Sequence, residues 1–382
     1  MTTKNPSSFL SPATQIVVQS TSFCNLDCSY CYLPNRASDK RITWETINLL
    51  LRYLESTNLL SQEVEIRWHA GEPLIVPFDF YEYCVQRIAE LYGGSRTFKH
   101  SIQTNATLID RSLAERISNL GISIGVSLDG PEALHDRHRR YRSAVGSFKA
   151  VMKGIDELHR HKVPFEIISV ITRATISDHG GFYAFLESTL ATKLGLNFEE
   201  TEGLNAASWG PSDLVRLKQF AHELYDQSTR GTLKIREFEI LERLIYAKNG
   251  AQRDLQNVCG SILALSSNGD VATYSPEFLG LQHAKWPTFA MARVNEAADS
   301  LVFNYSLLEK MQGEIEKGVE DCMNSCRYYS VCGGGRPINK LFENNLFAST
   351  ETTECQLRIK LLTQVVVEAM EQMTLKTAVA PK

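Results

Sequence analysis

The chain has 382 residues, ordinary apolar and charged fractions, and a formal net charge of −4. That length suits two domains, or one barrel with an appendage. The charge gives no reason to expect a nucleic-acid partner, no apolar run approaches a membrane span, and the polar start MTTKNPSSFLSPAT lacks a signal-peptide core, so a cytoplasmic protein with reduced thiols is expected.

The predicted elements alternate strand and helix. QIVVQS (15–20) reads as a buried strand, and TWETINLLLRYLEST (43–57) as an amphipathic helix with Thr43 as its N-cap. VEIRWH (64–69) is a strand followed by a helix over about 78–91, and FKHSIQT (98–104) a strand followed by a helix over 109–120. ISIGVSL (122–128) and the helix 146–161 come next, then FEIISVIT (165–172), a helix over about 178–190, and GLNFEE (195–200) as a sixth strand. This rhythm predicts parallel βαβ units and an α/β fold with a partial or complete barrel. In such folds chemistry sits at the C-terminal ends of the strands. After about residue 205 the rhythm weakens into two helical stretches, 211–228 and 235–248, then two short strands around an Asn-Gly turn in ILALSSNGDVATYS (262–275). A last amphipathic helix is expected from about Cys355 to Met373. We read residues 1–235 as the barrel and 236–382 as a smaller cysteine-bearing domain.

Nine cysteines, an odd and clumped set, point to metal or cluster binding before disulfides. Cys24, Cys28 and Cys31 follow the first strand in TSFCNLDCSYCYLP, on the first βα loop. Thiolates are the usual ligands of iron–sulfur clusters, and three of them leave one iron of a [4Fe–4S] cluster open. An open position marks a site that does chemistry on a bound ligand. The bland alternative is a structural zinc knuckle, which would want a fourth ligand; neither His nor Cys follows nearby.

CNLDCSYCYLP resembles the signature of the radical S-adenosylmethionine (SAM) superfamily. The resemblance implies that the open iron chelates SAM, and that an electron from the cluster cleaves it to a 5′-deoxyadenosyl radical that abstracts a substrate hydrogen. It implies further contacts, strand by strand. Tyr30 matches the aromatic position near the adenine. WHAGEPL (68–74) resembles the GGEP motif, with Ala70 in place of its first glycine, and with Gly71 and Glu72 holding the SAM amino group. SIQTNATL offers Gln103 and Asn105, and GVSLDGP offers Ser127 and Asp129. Arg139 matches an arginine that reaches the SAM carboxylate, and Val170 an adenine contact.

Cys322, Cys326, Cys332 and Cys355 supply four thiolates, the number that closes a cluster, although four also suit zinc. Their region resembles the SPASM domain of peptide-modifying radical SAM enzymes. The implied fold is a partial (β/α)6 TIM-like barrel with a C-terminal cysteine-rich SPASM-like domain. The implied cofactors are the [4Fe–4S] cluster with SAM and one auxiliary [4Fe–4S] cluster. A second auxiliary cluster is not expected: Cys259 could begin it, but Tyr274 and Arg336 stand where thiolates belong. Cys259 is then a ligand or a buried small hydrophobe, and Cys84, inside a helix, a core residue.

TYSPEFLG (273–280) replaces the Cys-Asp pair of anaerobic sulfatase maturases, where the aspartate is a base; Ser275 cannot serve. VCGGGRPINKLFENNLFASTETTEC, WHAGEPL and YSPE resemble the cyclophane-forming peptide maturases. That resemblance implies a carbon–carbon bond between an aromatic ring and the β-carbon two residues on in a ribosomal precursor peptide, after Cβ hydrogen abstraction. The partners implied are that peptide and an external electron donor such as flavodoxin or ferredoxin. The auxiliary cluster could take the last electron, and Glu277, Asp270 and Glu351 are candidate proton acceptors. Thioether formation, epimerisation and formylglycine formation are the alternatives within the superfamily. An iron–sulfur or zinc protein without SAM chemistry is the alternative outside it. The basic run HDRHRRYR (135–142) could attract an acidic leader, or be a solvated loop with one functional arginine.

Overall fold

The computed structural model describes residues 9–207, 209–247 and 253–379. Its strands, in chain order, are β1 (Ala13–Val18), β2 (Leu60–Trp68), β3 (Thr97–Thr104), β4 (Ser123–Ser127), β5 (Phe165–Ile171), β6 (Lys193–Phe198), β7 (Lys234–Ile235), β8 (Ile262–Leu265), β9 (Asp270–Thr273), β10 (Ala292–Asn295) and β11 (Ser300–Phe303). They form one mixed sheet in the order β11-β10-β9-β8-β1-β2-β3-β4-β5-β6-β7. β1 to β7 are parallel and adjacent in sequence order. β8 returns to the other edge of β1, also in parallel, and the last three strands run on antiparallel.

The six expected strands are present because their apolar runs suit a sheet covered by helices. Ile16, Val18, Ile66, Trp68, Ile102, Val126, Ile167 and Leu194 are all essentially closed to solvent. The crossover helices bury one stripe each. In Trp44–Ser56 the inward set is Ile47, Leu50, Leu51 and Leu54, at helical spacing, and Thr43 caps it by accepting from the Thr46 N–H. The helix expected from 109 begins at Arg111 because Asp110 is its cap, bonded to the Leu113 N–H, and Gly121 ends it at φ +68°. The helix expected over 178–190 is two short ones, Arg173–Ser177 and Phe182–Ser188. Gly181 at φ +76° sits at the break.

The stretch 207–213 contains the start of a 20-residue helix, Pro211–Arg230, with proline at its first turn. Helix Arg236–Tyr246 matches the next expectation up to its end; residue 248 lies outside the described residues. The Asn-Gly hairpin joins β8 to β9, with Gly269 at φ +85°. The C-terminal helix opens with a π-helical segment, Cys355–Leu361, before the α-helix Leu362–Val379. The sheet itself runs across the division expected at 235, since β8 pairs with β1. Among the described residues no helix is long and apolar enough to cross a membrane.

Candidate active site

A cleft of about 420 Å³ opens at the C-terminal ends of β1 to β6. Cys24, Cys28 and Cys31 line it together with Tyr30, Ala70, Gly71, Glu72, Gln103, Asn105, Ser127, Arg139 and Val170. Motifs separated by up to 146 positions thus meet at one face, as parallel βα units require.

The cysteine loop carries no helix or strand of its own, and its shape comes from neighbours. The Cys31 N–H donates to the Cys28 carbonyl (3.2 Å) and the Cys24 N–H to the Arg36 carbonyl (3.3 Å). The loop after β2 presses against it from behind. Gly71, at φ +64°, lies so close that a Cβ there would stand 2.7 Å from the Phe23 carbonyl oxygen. Its neighbour Ala70 also has positive φ, +72°, where a glycine would be unstrained. The family-like position taken by Ala70 therefore carries a small backbone cost. Burial pushes the Cys24 thiol up to about 12, with Glu72 adding to it, and the Cys28 thiol up to about 11. Thiols held neutral this way ionise when a metal centre supplies positive charge, so the donor set fits an iron–sulfur cluster.

Glu72 is 1 % exposed and already committed. Its Oε1 accepts from the Leu74 N–H (3.0 Å) and the Thr104 hydroxyl (2.7 Å), and its Oε2 from the Asn105 N–H (2.8 Å). The expected ligand carboxylate thus also pins the loops after β2 and β3 to each other. Asn105 in turn reaches the cysteine loop, donating to Asn25 Oδ1 at 2.8 Å. Gln103 donates to the Ser127 hydroxyl (3.0 Å), across the space that Gly125 leaves by having no side chain.

Asp129 is the hub of the far wall. It accepts from the Tyr30 hydroxyl, from Arg139 Nε (3.0 Å) and from the Val170 N–H (3.0 Å). Four expected SAM contacts are therefore one bonded group spanning the cysteine loop, β4 and β5. Arg139 also stands over the Tyr30 ring at 5.4 Å. The run 135–142 straps this assembly. The Asp27 N–H donates to the Arg140 carbonyl (2.7 Å), the Ser29 N–H to the His138 carbonyl (3.1 Å), and Arg142 Nε to the Cys24 carbonyl (3.1 Å). His135 is fully buried, accepting from the Asp129 N–H and bonded to Ser147. Neither sequence reading of this run foresaw that role.

The opposite end of the cleft is acidic, and of its carboxylates only Glu277 was singled out in the sequence. Glu199, Glu200 and Glu202 follow β6 and meet Glu277, Arg336 and Arg358 there. Glu200 accepts from Asn339 Nδ2 (2.8 Å) and Arg336 Nη1 (3.4 Å). Burial, opposed by Arg336, pushes it up to about 7. Glu202 is raised well above the usual carboxylate range by burial, then by Glu277 and Glu200. Of the three carboxylates chosen from motifs, only Glu277 lines this cleft, and it accepts from the Ser275 hydroxyl. Asp270 lies away from it beside Arg293 (3.6 Å), and Glu351 pairs with Lys360 (2.8 Å). Arg336 bridges Glu200 and Glu354 (3.6 Å to the latter), a role no thiolate could take.

Cys322, Cys326, Cys332 and Cys355 line a second cavity of about 290 Å³. The CxxxC spacing closes on one helical turn, with the Cys326 N–H donating to the Cys322 carbonyl (2.9 Å). Gly333, Gly334 and Gly335 all have positive φ and fold the chain back so that the Gly335 N–H donates to Cys332 Sγ (3.0 Å). Lys340, 2 % exposed, sits beside Cys322. Four thiols with an N–H donor and a buried cation fit an anionic thiolate cluster. Among the described residues no three His, Cys, Asp or Glu side chains close on one point as a single metal ion needs. Cys259 lines neither cavity and lies buried beside Tyr274, and Cys84 is buried in the core.

The model of the radical SAM superfamily matches residues 18–186. The chain is 31 % identical to a serine-type anaerobic sulfatase-maturating enzyme of Klebsiella aerogenes, over 83 % of this chain and 77 % of that one. It is also 31 % identical to the uncharacterised protein sll1766 of Synechocystis sp., over 94 % and 93 % of the two chains. The chain belongs to the radical SAM superfamily. Its fold matches that of anSMEcpe, solved with bound AdoMet and the Cp18Cys peptide, with a TM-score of 0.73 at 21 % identity, covering 96 % of this chain and 100 % of that one.

Proposed function

We propose that this protein is a radical SAM maturase that joins an aromatic ring carbon to the β-carbon of a residue two positions on in a ribosomally made precursor peptide. In this reading residues 1–235 hold SAM and its cluster through Cys24, Cys28 and Cys31. Residues 236–382 hold an auxiliary cluster through Cys322, Cys326, Cys332 and Cys355. With its cluster and SAM bound, such a site supplies a 5′-deoxyadenosyl radical able to take a hydrogen atom from a substrate carbon. The chain's own part is to position SAM through the Tyr30–Asp129–Arg139 group, to place the peptide in the cleft, and to accept the proton that the ring gives up. Glu277 is the sequence-chosen carboxylate positioned for that last task.

The observation that carries the reading is Ser275. Its hydroxyl donates to Glu277, so the place of the sulfatase maturases' aspartate holds a group that cannot be a base, and the adjacent carboxylate faces the cleft instead. The test is incubation of the reconstituted enzyme with SAM, reductant and the small peptide encoded beside it. A loss of two hydrogens confined to one short aromatic motif is expected. No mass change with any neighbouring peptide sinks the proposal.

Formylglycine formation is the second reading, favoured by the 31 % identity to a serine-type sulfatase-maturating enzyme. Oxidation of a serine also removes two hydrogens, so fragmentation decides. A change on one serine supports formylglycine, and a fragment-resistant aromatic link supports the cyclophane.

A further inference from the structure

The acidic end of the cleft contains a carboxylate oxygen with no partner among the described residues. Glu202 is 6 % exposed, lines the cleft, and its Oε1 is buried without a hydrogen bond. Its backbone is held firmly. The Glu202 N–H donates to the Asn205 carbonyl (3.0 Å) and the Asn205 N–H to the Glu202 carbonyl (2.8 Å). Gly203, at φ +55°, packs so closely on the loop after Cys31 that a Cβ would stand 2.6 Å from the Tyr32 carbonyl oxygen. The side chain is therefore aimed by a tight turn and does not wander to water.

Carboxylates outnumber guanidinium groups here, and burial with this crowding favours the neutral form of Glu202. Glu200, Glu202, Glu277 and Glu354 share two guanidinium groups. Arg336 lies between Glu200 (3.4 Å) and Glu354 (3.6 Å), and Arg358 is on Glu354 (3.2 Å). Neither arginine is bonded to Glu202 or Glu277. A buried acceptor left unpaired is costly. Such an arrangement persists at functional sites, where a ligand completes it.

We propose that Glu202 receives a cationic side chain, lysine or arginine, of the peptide bound in the cleft. The proposal rests on the reading that a peptide occupies this cleft. An ammonium or guanidinium group would fill the vacant acceptor with a charge-assisted hydrogen bond and favour the ionised form of Glu202. Glu277, bonded among the described residues to the Ser275 hydroxyl alone, stays available beside it. The peptide would then be held at its cation while SAM is held at the Asp129 end.

The probes are fluorescein-labelled seven-residue glycine peptides with a central tryptophan and one lysine walked through the other positions. Each is compared with its glutamine counterpart. Binding is measured on the reconstituted full-length enzyme with SAM present, for the wild type, Glu202→Gln and Glu202→Asp. We expect one lysine position to bind about tenfold tighter than glutamine on the wild type. Glu202→Gln should abolish that preference without changing SAM affinity. Glu202→Asp, which keeps the charge on a shorter arm, should keep part of it. Thermal melts establish that each variant is folded. If Glu202→Gln does not fold, a preference undiminished in Glu202→Asp overturns the proposal. It is likewise overturned if the lysine preference survives Glu202→Gln, if no lysine position binds better than glutamine, or if the variant alters SAM affinity alone. A lysine preference together with no mass change in the neighbouring-peptide assay would sink the cyclophane reading and leave this inference standing.

Discussion

Gly71 offers a direct test of how the cysteine loop is held. Substituting alanine adds one methyl group. At φ +64° an L-residue costs about 1–2 kcal/mol relative to the right-handed region. The added Cβ would also meet backbone, at 2.7 Å from the Phe23 carbonyl oxygen and 2.9 Å from the Ser22 carbonyl carbon. Backbone cannot rotate away as a side chain can, so overpacking adds about 1–3 kcal/mol. Lower conformational entropy of the unfolded chain returns about 0.4–1 kcal/mol. Gly71→Ala should therefore lose roughly 1–4.5 kcal/mol in urea unfolding. Gly121 is the matched control: its φ is +68°, and nothing lies within 4 Å of its would-be Cβ. Gly121→Ala should lose only about 0–1.5 kcal/mol. The same Gly71 variant should bind less iron at the first site, because the segment it displaces leads into Cys24. If the two variants unfold alike and keep wild-type iron, the close approach is not what shapes the loop.

Asp129→Asn removes the carboxylate facing Arg139, whose side chain is 10 % exposed, and should destabilise by about 3–5 kcal/mol and weaken SAM binding. An unchanged urea midpoint would refute the hub. Burial drives His135 from its ordinary 6.5 down to about 4. The unfolded imidazole takes up a proton at pH values where the folded one does not. The stability involved is thus complete above 6.5 and lost as pH falls from 6.5 to 4, by about 3 kcal/mol. His135→Gln should flatten that part of the stability–pH curve; an unchanged slope would contradict it. Lys340→Met removes a buried cation beside Cys322, and should shift the proposed auxiliary cluster to a more negative midpoint in an EPR-monitored redox titration. An unmoved midpoint would mean that the charge is not felt there.

The first six strands, the β8–β9 hairpin and the first three cysteines were legible because their signals are local, whereas the short β7, β10 and β11 were not foreseen. Valine and isoleucine runs mark β1 and β5, and the cap at Thr43 marks a helix start, whereas the cap at Asp110 was read as part of its helix. The cysteine spacing lies within eight positions. The acidic end was not legible, because Glu202, Glu277, Arg336 and Glu354 come from distant segments with no shared period. One signal was available: FEETEG at the end of the sixth strand puts three glutamates where βα folds keep their chemistry. The strap 135–142 read as a charge run because its anchoring bonds are largely backbone, and backbone leaves no mark on residue type. Asp270 and Glu351 were chosen for belonging to motifs, and motif membership does not say where a side chain faces.

The pairing of β8 with β1 has a consequence for how the protein can be divided. β1 is the strand from which the first cysteine loop hangs, and it is hydrogen-bonded on both sides, to β2 and to β8. A fragment ending near 235 would strip Ile262–Leu265 from Gln15–Val18 and leave a bare, apolar strand edge directly under that loop. Such an edge recruits other chains. The portion that would bind SAM therefore relies on the later portion to keep its own central strand paired, and the two are expected to fold and fail together.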